Sequence, residues 1–99
     1  GCDIKYDPKN KLKYTDRAVF VLGYSIGSAG NYKKAIGLLE NLRNSYPEFK
    51  DMDKALYCLG LDYLSTGNIQ TAKQILNNLL NNYPKTNSAN AAKEVLNKL

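Results

Sequence analysis

The sequence predicts an all-α fold, an array of antiparallel helix hairpins with two full repeats and a C-terminal capping helix. Three observations carry this prediction. The chain repeats itself with a period of 37 residues. Each copy holds two apolar stripes at helical spacing, separated by a Gly-Asn pair. Each copy ends on Tyr-Pro. Residues 16–47 (DRAVFVLGYSIGSAGNYKKAIGLLENLRNSYP) and 53–84 (DKALYCLGLDYLSTGNIQTAKQILNNLLNNYP) are identical at 14 of 32 positions. Unrelated sequences share about two, at roughly 6% chance identity per position.

The elements follow in order. Residues 1–14 hold Pro8 and many charges and read as an irregular segment, with Ile4, Tyr6, Leu12 and Tyr14 available to pack over the first helix. Residues 15–99 read as one domain. In repeat one, 16–47, Thr15 or Asp16 is placed to cap a helix whose stripe is Ala18, Val19, Leu22 and Ile26. Gly30 ends that helix and Asn31 caps the next. The second stripe is Tyr32, Ala35, Ile36, Leu39, Leu42 and Tyr46, and Pro47 stops it. Repeat two, 53–84, follows suit. Ala55, Leu56, Leu59 and Tyr63 form one stripe; Gly67-Asn68 turns the chain; Ile69, Ala72, Leu76, Leu79 and Tyr83 form the other, before Pro84. A capping helix over 88–99 comes last, with Ser88 as its N-cap and Ala92, Val95, Leu96 and Leu99 as its apolar face. Gly23 and Gly60 fall mid-helix, where glycine costs about 1 kcal/mol relative to alanine. Their recurrence implies close helix approach, expected at Ala35 and Ala72.

Composition narrows the function. The chain has 99 residues, no His, two Cys and a formal charge of +5. Without His there is no His-based acid–base catalysis, no His metal ligation and no Ser-His or Cys-His nucleophile. Cys2 and Cys58 cannot make a four-thiolate zinc site. Cys58 reads as a buried, inert thiol. Asp62 and Glu94 read as surface carboxylates, with no close pair for acid–base work. No phosphate-binding glycine loop occurs. No metal, cofactor or enzymatic activity is therefore expected. Lys5, Lys9, Lys11, Lys13 and Arg17 crowd the N-terminus against Asp3, Asp7 and Asp16. They form no dense basic stripe, so nucleic acid is not the expected partner.

These residues carry a family likeness. The two units resemble the tetratricopeptide repeat, whose pattern is a large residue, leucine, glycine and an aromatic in the first helix, then alanine, a large apolar residue, a small residue and proline in the second. Val19, Leu22, Gly23, Ile26, Ala35, Leu39 and Pro47 supply it once. Leu56, Leu59, Gly60, Tyr63, Ala72, Leu76 and Pro84 supply it again. The family's usual Trp is replaced by Val19 and Leu56, and Leu42 and Leu79 stand where the family has a small residue. The Tyr-Pro endings with longer linkers are similar to the bacterial cell-envelope subgroup. That subgroup includes the periplasmic coordinator of the Tol-Pal system and the outer-membrane assembly lipoprotein.

The resemblance implies a right-handed superhelix that binds a peptide or protein segment in a concave groove lined by first helices. It implies a scaffold or adaptor, periplasmic or envelope-anchored, with the cytoplasm as the alternative compartment. Helical periodicity places Arg17, Phe20, Tyr24 and Ser28 of repeat one on that face, with Lys54, Tyr57, Leu61 and Ser65 of repeat two, and Glu94 and Lys98 beyond. The aromatics either anchor a partner or pack against the N-terminal segment and neighbouring helices. Arg17 and Lys54 either grip a carboxylate or are merely solvated. Phe20 and Tyr24 stand where chaperone-tail-binding members carry Lys and Asn, so that clamp is missing. Cys2 is a lipidation candidate, and a membrane partner is expected only if it is modified. Self-association of exposed helix faces is the alternative function, and nucleic-acid binding through the basic start a lesser one.

Overall fold

The computed structural model describes residues 15–99. Five helices follow one another: α1 (Asp16–Ser28), α2 (Tyr32–Ser45), α3 (Met52–Ser65), α4 (Ile69–Asn82) and α5 (Asn87–Asn97). No strand occurs among the described residues. The helices form two layers. α1, α3 and α5 lie side by side, while α2 packs on α1 and α3, and α4 on α3 and α5. The fold is thus the predicted hairpin array. The irregular segment expected over 1–14, with Cys2, lies outside the described residues.

Local chemistry sets each helix boundary. Of the two candidates at the first helix start, Thr15 is the cap: its Oγ1 accepts from the Ala18 N–H at 3.1 Å. Asp16 falls in the first turn, where its charge complements the helix dipole. α5 begins earlier than expected. Thr86, not Ser88, caps it, accepting from the Ala89 N–H at 3.1 Å. Thr86 has the extended backbone that a cap needs, whereas Ser88 already lies inside the helix.

Gly30 and Gly67 turn the two hairpins with φ of +94° and +85°. The Gly30 N–H donates to Gly27 O and the Asn31 N–H to Ile26 O, both at 3.0 Å. Gly67 and Asn68 repeat this on Leu64 and Tyr63. Each is a Schellman closure that needs a left-handed residue at the turn. Asn31 and Asn68 occupy cap positions, yet their side chains make no capping bond to α2 or α4.

Leu38, Leu39, Leu42, Leu59, Leu76 and Leu79 form the most deeply buried part of the core. Gly23 and Gly60 do mark close approaches, but to different residues than expected. A Cβ at Gly23 would stand 3.0 Å from Leu39 Cδ2, and one at Gly60 2.7 Å from Leu76 Cδ2. Antiparallel register explains the difference: residues equidistant from a turn face each other, so Ala35 meets Gly27 instead, at 3.3 Å from the Cβ it lacks. The linker and the first residue of α3 also contribute. Phe49 and Met52 are buried and join the core.

A polar link ties the repeats together. The Tyr63 hydroxyl donates to Glu40 Oε2 at 2.8 Å, and Arg43 Nε lies 3.1 Å from Glu40 Oε1. Burial, then the bond to Glu40, pushes the Tyr63 phenol above its ordinary pKa.

Candidate protein-binding groove

The layer of first helices carries a cleft of 380 Å³ between α1 and α3, closed at one end by the start of α2. Its shape follows from the repeat. The i, i+3/i+4 rows of α1 and α3 run side by side, so Tyr24 and Ser28 face Tyr57, Leu61 and Ser65 across it. These are five of the eight positions that periodicity assigns to the groove. Tyr24 stands out into solvent at 56% exposure, with only the Phe20 ring beside it among the described aromatics. Tyr57 is half-buried.

The other three positions lie elsewhere. Arg17 and Phe20 line a separate hollow of 330 Å³ beside Val21, Phe49 and Lys50. Phe20 packs with its ring centroid 5.5 Å from Phe49 and 6.3 Å from Tyr24, so it is chiefly a structural aromatic. Lys54 is exposed and sits 3.7 Å from Asp51, an ion pair within its own helix turn. At that exposure such a pair contributes little. Glu94 and Lys98 are exposed on and just beyond α5.

The cleft also recruits residues that periodicity alone does not indicate: Gly23, Gly27, Tyr32, Cys58 and Asp62. Asp62 corrects the expectation of a surface carboxylate, for it is only 7% exposed. Both its oxygens lie against Gly27, at 3.1 and 3.2 Å from where a Cβ would be. Among the described residues no hydrogen bond or ion pair reaches it. Loss of water raises its pKa to about 6. Cys58 beside it is pushed up to about 11, by burial first and then by the Asp62 charge. The thiol is therefore protonated and unreactive, as expected, though half-buried rather than buried.

A signal for Asp62 does exist in the sequence. Gly27 and Asp62 are both departures from the internal repeat: Leu64 stands where Gly27 would recur, and Ser25 where Asp62 would precede. The two departures face each other across α1 and α3.

Among the described residues no group of His, Cys, Asp and Glu is arranged to hold a metal ion. Among them, too, no helix is long and apolar enough to cross a membrane. The geometry defines a helical-hairpin repeat protein with a concave aromatic cleft. The tetratricopeptide repeat model matches residues 17–48 and 54–86, more than half of the chain, and the chain belongs to that family. Repeats of this family generally mediate protein–protein interaction and generally serve as non-catalytic scaffolds. A search of curated proteins returns no significant match.

Proposed function

We propose that this chain is a non-catalytic binding module that takes an extended segment of a partner protein along the cleft between α1 and α3. The observation that carries the reading is the exposed Tyr24 opposite Tyr57 and Leu61, across an open cleft of 380 Å³. Large amphipathic aromatics in a concave site supply contact area at low entropic cost and are frequent binding hot spots. The Tyr46-Pro47 and Tyr83-Pro84 endings, with their longer linkers, support a role as an adaptor or assembly module in a bacterial envelope.

Selection from a displayed random-peptide library tests the groove. Peptides enriched on this chain should bind at least tenfold more weakly to a Tyr24→Ala, Tyr57→Ala double variant of unchanged helicity. Failure to enrich any peptide, or equal binding to both proteins, would overturn the reading.

A further inference from the structure

We propose that the cleft is built around a side-chain pocket for an arginine of the partner segment, with Asp62 as the counter-charge. This rests on the reading of the cleft as a protein-binding groove and specifies what that groove selects.

Asp62 is 93% buried and has no protein donor among the described residues; what its oxygens still reach is the cleft that it lines. A carboxylate accepts hydrogen bonds from several directions, and burying it without donors is costly. Buried charges are ordinarily paired. No contact among the described residues explains the exception, because a neutral residue would fill the same space between α1 and α3 without this cost. Gly27 deepens the anomaly: a side chain there would press on both carboxylate oxygens, and its absence leaves them room.

The rest of the lining selects the partner group. Tyr24, Tyr32, Tyr57 and Leu61 present rings and apolar surface, and no basic side chain is among the described lining residues. Arg17 and Lys54 lie outside the cleft, so neither supplies the counter-charge. An apolar occupant would leave the carboxylate unpaired, and an acidic one would repel it. A cation satisfies it. Arginine suits this site better than lysine. Its planar guanidinium stacks on aromatic faces, forks onto both carboxylate oxygens and sheds water more readily than an ammonium. The chain's overall charge of +5 gives no long-range attraction for a basic segment. Selection must therefore come from this local contact.

Titration followed by amide NMR tests the pocket with three blocked amino acids: N-acetyl-arginine, N-acetyl-lysine and N-acetyl-citrulline N-methylamides. Citrulline matches arginine in shape but carries no charge. Blocked arginine is expected to shift the amides of Gly27, Cys58 and Asp62 and to bind at least fivefold more tightly than blocked citrulline. Asp62→Asn, which keeps the shape, should remove that preference. A carboxylate held only by solvent would leave arginine and citrulline equal, and that result overturns the proposal. So does retention of the preference in Asp62→Asn, or shifts confined to other surfaces. Lysine binding as tightly as arginine overturns the choice of arginine. Any of these results with the library-selected peptides still dependent on Tyr24 and Tyr57 removes the arginine pocket and leaves the groove standing.

Discussion

A buried carboxylate without donors opposes folding whenever it is charged, and for Asp62 this gives a measurable pH dependence. Its pKa rises from the ordinary 3.8 to about 6 in the folded chain. Well below pH 3.8 it is protonated in both states and the penalty is absent. Between 3.8 and about 6 the unfolded chain releases the proton while the folded chain still holds it. Stability from this group therefore falls as pH rises through this window, and the loss levels off once pH has passed the folded value of about 6. Two pKa units correspond to about 3 kcal/mol, an upper figure for a group at the edge of an open cleft. Asp62→Asn is accordingly expected to stabilise the chain by about 1–3 kcal/mol at pH 7 and by almost nothing at pH 3.5. Urea unfolding at the two pH values checks this; equal effects at both would show that the carboxylate is adequately solvated. Gain in stability with loss of arginine binding would mark a residue kept for function. Periodicity does not reveal this residue, because the spacing of α3 places Asp62 beside the groove row, not within it; only the break in the repeat marks it. Its burial comes from a missing side chain on another helix, at Gly27.

At the scale of the element, glycines separate packing from propensity. Gly37 lies exposed in the middle of α2, and a Cβ there would meet nothing within 4 Å. Gly60 lies in α3 with Leu76 pressed against it, and Leu76 is itself fully buried and unable to retreat. Gly37→Ala is therefore expected to stabilise by about 0.5–1 kcal/mol, through backbone entropy and helix propensity. Gly60→Leu is expected to destabilise by about 1–3 kcal/mol by overpacking the α3–α4 crossing. Parallel urea titrations compare the two, and a Gly60→Leu chain as stable as the parent would refute the close approach. The hairpins themselves were legible because the 37-residue repeat, the Gly-Asn turns and the Tyr-Pro stops agree at every boundary. The facing residues were not legible. Pairing Gly60 with Ala72 matches two small residues, whereas antiparallel register about Gly67-Asn68 brings Leu76 opposite Gly60 and leaves Ala72 nearer the turn. The burial of Phe49 is not legible in the sequence, because a five-residue linker has no period from which burial can be read. Its counterpart one repeat later is Thr86, which caps α5 instead.

At the scale of the molecule, stability and binding reside in different parts of the array. In a stacked-repeat protein each unit is held mainly by its neighbours, so the last hairpin needs a cover. α5 provides it: Ala89 and Ala92 are fully buried, Val95 and Leu96 pack on the core, and Asn90, Lys93 and Glu94 face outward. Ending the chain at Thr86 would uncover the faces of α3 and α4 on which α5 rests. The lost burial corresponds to about 2–3 kcal/mol, and for a domain of this size to a fall in Tm of about 10–20 °C. The uncovered apolar surface should also promote self-association, visible by sedimentation at micromolar concentration. The described residues that line the cleft belong to α1, α2 and α3, so peptide affinity per folded molecule should stay within about twofold of the parent at a temperature where both are folded. A truncated chain of unchanged Tm would mean that α5 is not a cap. One that kept its Tm deficit but lost peptide affinity would mean that the groove depends on the whole stack, with α5 setting the α1–α3 spacing through α3.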